Sequence, residues 1–586
     1  MPTLNWIGKE AVINHHLEVP FHLLKEVPDL SCGDPGSGNL IVEGDNLVGL
    51  KALLPYYRGR VKCACIDPPY NTGNEGWAYN DNVNSPAIKK WLGETVGKEG
   101  ETLDRYDRWL CMMYPRLALL REFLREDGTI WAFLDDNEIH TMRSVMDELF
   151  GSSNFLNQVS VKMKLTAGAS GGGEDKKLKK NIEHLLIYTR NMNGFQKFND
   201  VYDEEDLFEV IDDMEAEGKS WKYTSVLLST GDFVEERVVL DGAGDPIRVR
   251  KFKGIKRTTI SALVRSGIVR EQAYFNNFEK IFSDTNAQTS IRTRIIDEFH
   301  SLAEDELLEA EYIPRSGRDK GVAVKHYYIS PTIRRVIWLK DTAIKRKKRI
   351  VKLEKAGTYW DGFPLNNLTK EGGVQFPQGK KPESLIRKIL ELATEPGDLV
   401  LDSFLGSGTT AATAHKLGRQ WLGVEMEKHA ETHCVPRLNK VIDGTDVGGI
   451  TNDVAWKGGG GFRYVRLGDA LFDEHGRINE AKVRFADLAR HVYFSETGEP
   501  LPKERISAKT PLLGVHHGRA VYLLYNGILN DKSVDGGNVL TTATLEHLPA
   551  HDGPKVVYAA GCRFSKARLE REGITFKQTP YAIRTR

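Results

Sequence analysis

The sequence predicts an α/β protein built on a parallel β-sheet with helices on its faces. Between residues 39 and 150, the same unit occurs three times: an apolar segment, an acidic residue where that segment ends, and a helical pattern. The same alternation returns after residue 397, beyond a charged segment that lacks it. Parallel strands need long crossover connections, which are usually helices, and ligands lie outside the carboxyl ends of the strands. The alternation therefore indicates where functional residues should lie.

Composition limits the classes of protein that are possible. A chain of 586 residues is too long for one core and predicts about three or four domains. The net charge is zero, so a nucleic-acid surface would have to come from segregated charge.

The chain shows no signal pattern and no apolar run of membrane length, so we expect a cytoplasmic protein without membrane contact. Cys63 and Cys65 have no second pair to complete a metal site, so we expect reduced thiols and no metal.

The elements of the first third follow from hydrophobic spacing. Leucines at 47, 50, 53 and 54 indicate a helix after a strand and a turn at Gly44–Asp45–Asn46. Apolar residues three and four apart predict the next helix. In order, the pattern gives a strand, turn and helix over 39–54, a strand over 61–67, a helix over 106–125, a strand over 129–134, a helix over 138–150, and strands over 158–164 and 184–188.

The strand over 61–67 ends in the motif DPPYNTG, which begins at Asp67. Two consecutive prolines supply no backbone donors, so the chain leaves the sheet abruptly and presents carbonyl groups. Such a loop suits a planar amine: Asp67 and the Pro68 carbonyl would accept its two hydrogens, and the Tyr70 ring would stack on its plane. The same four residues, Asp67 to Tyr70, also fit an ordinary strand exit, and a second motif is needed to decide.

The segment from 194 to 355 interrupts the alternation with acidic and basic stretches. Aromatic residues accompany the second basic group, a combination that fits a separate domain with phosphate-facing edges. Charge runs are more often solvated helix faces, so the pattern by itself is weak evidence for DNA. The candidate DNA-binding residues are Arg334, Arg335, Lys345, Arg346 and Lys347.

The second motif follows a strand over 399–401. The chain runs into Asp402 and then Phe404–Gly408, where two glycines allow close approach to a ligand, and a helix opens at Thr409. The next strand ends at Glu425, a position suited to ribose hydroxyls. The third glycine of a dinucleotide site and the lysine of a P-loop are missing, which leaves a nucleoside without a pyrophosphate.

With both motifs, the sequence resembles the DNA amino-methyltransferases that use S-adenosylmethionine. In that family the glycine loop holds the methionine part of the cofactor and the DPPY loop holds the target amine. The DPPY motif comes first here, which is the order of the beta class. The resemblance implies a Rossmann-like class I methyltransferase sheet, circularly permuted, with an inserted DNA target-recognition domain and a small α/β C-terminal domain.

The resemblance also implies domain limits and site residues. The expected domains are a catalytic half over 1–193, a target-recognition domain over 194–355, a cofactor half over 356–456 and a C-terminal domain over 457–586. Lys381 in FPQGKKP, or the neighbouring backbone, would contact the cofactor's carboxylate, and Asp45 and Asn46 would face its adenine. The implied catalytic residues are Asp67, Pro68, Pro69 and Tyr70. The implied cofactor residues are Asp45, Asn46, Lys381, Asp402, Phe404, Gly406, Gly408, Thr409 and Glu425.

The finer resemblance is to the modification subunit of type III restriction systems. IDPPYNTGNEGWAYNDN, WLCMMYPRLALLRE, LDDNE, KGGGGFRYVRLG and GCRFSKARLEREGITFKQTPYAI look like that subfamily. The resemblance implies a homodimer that acts on double-stranded DNA, flips an adenine out of the duplex, and works with a separate ATP-dependent helicase-nuclease subunit.

Two alternative interpretations stay open, one for the identity of the target base and one for the presence of catalytic activity. An aspartate at the start of the motif favours adenine, whereas serine is the usual sign of cytosine, so a cytosine-N4 methyltransferase is one alternative. A DNA-binding specificity subunit with vestigial catalysis is the other, and the intact DPPY and GSG motifs speak against it.

Overall fold

The protein folds into two compact units, Met1–Asn199 with Gly357–Arg586, and Asp200–Ala356. The structure is a computed structural model. It describes residues 3–71, 105–163, 178, 180–315, 319–366, 368–376, 379–426, 428–472, 478, 482–502, 505–507, 509–525 and 537–579. Thr72 and Gly73 of the DPPYNTG motif lie outside the described residues, as do Pro377 and Gln378 of FPQGKKP.

The first unit contains the predicted parallel sheet. Its described part has eleven strands, six of which are consecutive parallel neighbours. The spatial order is His22–Glu26, Gly461–Ala470, Leu40–Glu43, Gln420–Glu425, Leu399–Asp402, Val61–Ile66, Leu124–Leu134, Ile182–Thr189, Phe155–Lys162 and Tyr359–Trp360, with Cys32–Gly33 paired to Gly461–Ala470. The strand Ile182–Thr189 runs antiparallel to the parallel block, and Phe155–Lys162 pairs antiparallel with it.

At the centre of this sheet, a strand from the segment Gly357–Arg586 pairs with a strand from the segment Met1–Asn199. The strand Leu399–Asp402 lies between Gln420–Glu425 and Val61–Ile66. Val400 pairs with Cys63 in parallel register, although more than three hundred residues separate them. Two parallel strands end at the same edge, so the exits at Asp402 and Asp67 are neighbours. The α/β sheet with permuted motif order is thus confirmed.

The helices of the first unit connect these strands. Their bounds are Lys9–Val12, His15–Glu18, Asn46–Tyr57, Arg105–Phe123, Ile139–Met146, Glu383–Ala393, Thr409–Lys416, Val435–Ile442, Phe485–Thr497, Thr542–Glu546 and Lys566–Arg571, with π-helical turns at Asp147–Gly151 and Ala430–Cys434 and 3-10 turns at Pro28–Leu30, Pro35–Ser37, Ser152–Asn154 and Leu368–Gly373. The helix predicted to reach residue 125 ends at Phe123, because Leu124 is fully buried and already pairs with Val61 in the sheet.

The C-terminal segment begins inside the central sheet. The strand Gly461–Ala470 pairs with Leu40–Glu43, so the expected boundary at 457 precedes a strand of the central sheet. The remaining segment forms a smaller sheet, and its residues share one hydrophobic core with the central sheet. The smaller sheet has strands Leu512–His516, Arg519–Leu523, Lys555–Ala559 and Ile574–Gln578, and Val539–Leu540 pairs separately with Gly561–Cys562.

The second unit, Asp200–Ala356, is mainly antiparallel and has its own hydrophobic clusters. Its larger sheet has the order Asp232–Leu240, Pro246–Lys253, Glu306–Tyr312, Val324–Ile329, Arg334–Trp338, Ile281–Thr285, Ser225–Ser229 and Lys256–Thr259. Its smaller sheet has the order Ala343–Arg346, Arg349–Lys355 and Tyr202–Asp206. Its helices are Leu207–Ala216, Ile260–Arg265, Arg270–Asn277 and Ser290–Phe299, with 3-10 turns at Phe278–Lys280 and Leu339–Asp341.

Among the described residues of both units, no helix combines the length and the apolar character needed to cross a membrane.

The side chain of Asn39 links three strands and provides a test of this sheet. Its amide nitrogen donates to the Gly461 carbonyl at 2.9 Å, and its oxygen accepts from the Trp421 amide at 2.9 Å. Asn39→Ala would leave the buried Trp421 amide without this acceptor, whereas the Gly461 carbonyl would keep the Ser37 hydroxyl as a donor, so we expect the free energy of unfolding to fall by about 1–3 kcal/mol. Urea denaturation measures this. Asn14→Ala is the control, because Asn14 is exposed and its side chain caps nothing. Equal losses in the two variants would contradict the linking role.

Candidate active site

The exits of the strands Val61–Ile66 and Leu399–Asp402 open onto one cavity of about 510 Å³. This volume lies within the range of small-molecule sites, about 300–1,000 Å³. Nine of the residues predicted from the sequence line it: Asp67, Pro68, Pro69, Tyr70, Lys381, Asp402, Phe404, Gly406 and Thr409. The tertiary structure therefore brings the DPPY loop and the glycine loop to the same space.

Two hydrogen bonds anchor the DPPY loop, one from the helix Arg105–Phe123 and one to Glu138, which precedes the helix Ile139–Met146. The indole nitrogen of Trp109 donates to the Pro69 carbonyl at 2.7 Å. The Asn71 amide donates to Glu138 at 2.5 Å, and both residues are buried. Asn71 adopts a φ of 55°, a left-handed conformation that asparagine tolerates better than most residues. In the described part of the chain, no donor reaches the Pro68 carbonyl, which stays available to a ligand.

Four side chains at the cavity form a charged cluster, which we call the acceptor cluster: Asp67, Tyr70, Glu183 and Lys381. The Lys381 ammonium donates to Asp67 Oδ2 at 2.7 Å and to the Tyr70 oxygen at 2.9 Å. The Tyr70 hydroxyl lies 2.7 Å from Asp67 Oδ1 and 3.1 Å from Glu183 Oε2. Lys381 Nζ is also 3.3 Å from Glu183 Oε2. Lys381 thus lies on the DPPY side of the cavity.

Burial governs the protonation of the acceptor cluster. Desolvation raises the pKa of Asp67, although the Lys381 ammonium opposes this shift. Burial by itself would lower the pKa of Lys381, but the carboxylates of Asp67 and Glu183 outweigh it and raise that pKa. Burial also raises the pKa of Tyr70 well above its usual value. Lys381 is therefore a buried cation that depends on its two carboxylates.

The glycine loop is held in a conformation that requires glycine. Gly406 and Gly408 have φ values of 55° and 79°, which side-chain-bearing residues rarely adopt. The Gly406 amide donates to Glu425 Oε2 at 2.7 Å, so Glu425 holds the loop from behind the cavity. Asp402 accepts from the Phe404 amide at 2.9 Å. Burial raises the pKa of Asp402 to about 7.

A buried ion network supports the glycine loop. Arg437 donates to the Thr409 hydroxyl at 2.7 Å and to Glu383 at 2.8 Å. Lys416 pairs with Glu383 at 2.7 Å and with Asp446 at 2.6 Å. The side chains of Arg437, Lys416 and Glu383 are fully buried. Charges buried this deeply are stable only when they are paired, and the Arg437–Thr409 contact ties the network to the residue that follows the glycine loop.

Asp45 and Asn46 do not line the cavity in the described structure. Asp45 accepts from the amides of Leu47 and Val48 and caps the helix Asn46–Tyr57. The Asn46 amide donates to the Ser403 carbonyl at 3.0 Å. Arg116 donates to both side chains. These contacts place the pair beside the exit of the glycine-loop strand, and their predicted contact with a cofactor stays a prediction.

The candidate DNA-binding residues lie in the second unit on two sheets. Arg334 and Arg335 are in the strand Arg334–Trp338, where Arg334 pairs with Asp284 and Arg335 lies 2.8 Å from His326. Lys345 and Arg346 are in the small sheet; Lys345 lies 4.3 Å from the Phe275 ring centroid and Arg346 pairs with Glu204 at 2.5 Å. Lys347 is exposed at the following turn. Their contact with DNA stays a prediction.

Three functional candidates were missed from the sequence. Glu183 is the single acid in an otherwise mostly apolar strand, Ile182–Thr189, and that placement was the available signal. Glu383 and Arg437 look like ordinary helix residues in the sequence and become notable only through their complete burial. Burial depends on packing among distant segments, which spacing does not report.

The family follows from comparison with known proteins. The profile of the DNA methylase family matches residues 61–435, which include both motifs and the segment between them. The chain belongs to the DNA methylase family. This confirms the family expected from the DPPY and glycine motifs.

This DNA methylase has curated relatives in restriction-modification systems. It is 37% identical to the probable type III restriction-modification enzyme HindVI Mod subunit of Haemophilus influenzae, over 80% of this chain. It is 27% identical to the type III EcoPI Mod subunit of Escherichia phage P1, over 70% of this chain. The alignments cover 60% of each relative, so the chain spans about three fifths of their length.

One solved structure of a putative DNA modification methylase also overlaps this DNA methylase. It is TTHA0409 from Thermus thermophilus, complexed with S-adenosyl-L-methionine. The identity is 13%, the TM-score is 0.30, and the overlap covers 74% of this chain and 99% of that chain.

Asp402 gives this site a pH-dependent stability. An aspartate in an unfolded chain has a pKa of about 3.9, whereas burial raises the pKa of Asp402 to about 7. Between these values the folded state binds more protons than the unfolded state, so stability falls as pH rises through this range and stays reduced above it. Asp402→Asn removes the buried charge. We expect the Tm of the variant, relative to that of the unaltered protein, to be higher at pH 8 than at pH 5.

Thermal melts at both pH values measure this difference. Asp443→Asn is the control, because Asp443 is exposed. A difference in Tm for Asp402→Asn that is the same at both pH values would show that Asp402 does not titrate in this range.

Proposed function

We propose that this chain is a site-specific DNA methyltransferase that methylates the exocyclic amine of adenine with S-adenosylmethionine. The observation that carries the proposal is the single cavity shared by the DPPY loop and the glycine loop. A methyl donor at the glycine loop and an amine at the DPPY loop would meet there. Holding two reactants in contact removes much of the entropic barrier to their reaction.

The cavity suits the amine of a nucleobase. An adenine amine is a poor nucleophile because its lone pair is delocalised into the ring. Asp67 and the Pro68 carbonyl would accept its two hydrogens, favour a pyramidal nitrogen and stabilise the positive charge that develops on it. As the nitrogen gains a methyl group it must lose a proton, and the Asp67 carboxylate, whose pKa burial raises, is placed to accept that proton.

The cavity also fits the cofactor. When bound, S-adenosylmethionine supplies a methyl group from a sulfonium centre. Phe404, Gly406 and Thr409 line the glycine-loop side and would hold it, with Gly408 shaping the turn. Asp402 lies at the same edge with a polar, buried carboxyl group. Contacts of Lys381, Glu425, Asp45 and Asn46 with the cofactor remain predictions.

A base in duplex DNA reaches such a cavity only after it rotates out of the stack. The rotation costs a few kcal/mol, which stacking on the Tyr70 ring would partly offset. The unit Asp200–Ala356 would read the surrounding sequence. Arg334, Arg335, Lys345, Arg346 and Lys347 are its candidate phosphate contacts, because long cationic side chains are the usual partners of the DNA backbone.

The relatives support a finer proposal, a modification subunit of a type III restriction-modification system. Two of them are named type III Mod subunits. In this role the chain would act as a homodimer with a separate ATP-dependent helicase-nuclease subunit.

Sequencing of DNA from cells that express the chain, with detection of modified bases, would report the base, the site and the strand. Methylated cytosine in place of methylated adenine would favour the cytosine-N4 alternative.

Removal of the Asp67 carboxylate tests the acceptor role. We expect Asp67→Ala to lower methyl transfer by about 100-fold or more, since a preorganised group that binds the transition state is lost. The measurement is transfer of tritiated methyl groups to unmodified genomic DNA. Calorimetric affinity for S-adenosylmethionine should change little. Asp443→Ala is the exposed control, and near-normal turnover by Asp67→Ala would exclude the role.

A substitution in the glycine loop should have the opposite effect. Gly408→Val places a β-branched residue at a φ of 79°, which costs about 1–3 kcal/mol of strain. We expect the Kd for S-adenosylmethionine to rise by about 10-fold or more as the loop shifts. Gly418→Val is the matched control: Gly418 has a φ of 71° and open space around it, at the other end of the same helix. Equal affinities in the two variants would contradict cofactor binding at this loop.

A further inference from the structure

We propose that Glu183 is a positioning residue that takes over the Lys381 ammonium when Asp67 binds the target amine. The proposal rests on the proposed function and assigns a role to a residue that neither sequence motif contains. Glu183 lies in the strand Ile182–Thr189 and lines the same cavity as the DPPY loop.

The need for such a residue follows from the occupancy of Asp67. One carboxylate oxygen accepts from the Tyr70 hydroxyl at 2.7 Å, and the other accepts from Lys381 at 2.7 Å. An incoming amine must therefore compete with a strong donor at whichever oxygen of Asp67 it approaches. The stronger competitor is the ammonium of Lys381, because charge-assisted hydrogen bonds are about twice as strong as neutral ones.

Glu183 offers the displaced groups a second acceptor. Its Oε2 atom lies 3.3 Å from Lys381 Nζ and 3.1 Å from the Tyr70 hydroxyl. Shortening the 3.3 Å separation to an ordinary charge-assisted length of about 2.8 Å requires only a small movement of the ammonium. Both donors on Asp67 can thus turn to Glu183 without leaving the cavity.

The charge of Glu183 matters more than its shape. The Lys381 side chain is only 6% exposed, and the rings of Phe133 and Tyr70 lie 5.0 Å and 5.1 Å from its ammonium. A cation in such a place needs a carboxylate partner at every stage. While Asp67 is bound to the amine, Glu183 is the carboxylate within ion-pair distance of Lys381 among the described residues.

Other charged groups that face the cluster do not provide this partner. Asp402 approaches from the glycine-loop strand, where burial and the charge of Asp67 raise its pKa and the charge of Lys381 lowers it. Asp135 is paired with Lys180 at 2.5 Å on the neighbouring strand exit. Lys380 donates to backbone carbonyl groups, including that of Val374 at 3.1 Å.

Two substitutions of Glu183 separate charge from shape. Glu183→Gln keeps the size and removes the charge, whereas Glu183→Asp keeps the charge and shortens the side chain. We expect kcat to fall in the order Glu, Asp, Gln, with Gln lower than the unaltered protein by about 10-fold or more and KM for S-adenosylmethionine unchanged. A packing role predicts the reverse order, with Gln tolerated better than Asp, and that order would overturn the proposal.

The pH profile is a second readout that packing would not alter. The Glu183 carboxylate raises the pKa of Asp67, so its loss lets Lys381 hold Asp67 ionised at lower pH. The acidic limb of kcat for Glu183→Gln should therefore move to lower pH while the plateau falls. An unmoved limb would contradict the proposal.

The assay uses the full-length protein, tritiated S-adenosylmethionine and unmodified genomic DNA. Glu126→Gln is the control, because the Glu126 side chain is 68% exposed. Thermal melts and calorimetric cofactor affinity verify that each variant is folded. If the unaltered protein transfers no methyl group, the proposed function fails and this proposal fails with it. If it does transfer methyl groups and Glu183→Gln is equally active, only the role of Glu183 is overturned.

Discussion

The parallel pairing of the strand Leu399–Asp402 with Val61–Ile66 is the constraint on which the site depends. This pairing joins two segments more than three hundred residues apart and aligns Val400 with Cys63. Because both strands end at one edge of the sheet, the chain after each must enter the same space. The cavity, the DPPY loop and the glycine loop all follow from that alignment. The intervening unit Asp200–Ala356 has separate hydrophobic clusters and need not contribute to this pairing.

The site gathers buried charge from several further segments. Lys381 comes from the segment before the glycine-loop strand, and Glu183 comes from the antiparallel hairpin. Behind the loop, Glu383 holds both Arg437 and Lys416. An unpaired ion at any of these places would cost several kcal/mol, so each charge requires the others. Rigid placement of this kind is what a site needs when its groups must meet the reacting atoms in one geometry.

Lys381 has neighbours in the structure that the resemblance did not imply. The resemblance places it near the cofactor's carboxylate, and the structure does place it at the cavity. Its ammonium, however, bonds to Asp67 and Tyr70. Lys381 and Asp402 line this cavity together with the DPPY loop. Membership in the DNA methylase family supports methyl transfer as the chemistry of this cavity. The role of each charged side chain in it depends on contacts such as those of Lys381 with Asp67 and Tyr70.

The sequence by itself determined the α/β class, the permuted motif order and nine of the cavity residues, because strand exits and glycine turns are local features of the chain. It placed the exits at Asp67 and Asp402, which the structure brings together. The tertiary structure alone decided that Glu183 faces Asp67, that Glu425 binds the glycine loop, and that Gly461–Ala470 joins the central sheet. Each of these depends on the lateral order and direction of strands. That order arises from packing between distant segments, and local spacing carries no record of it.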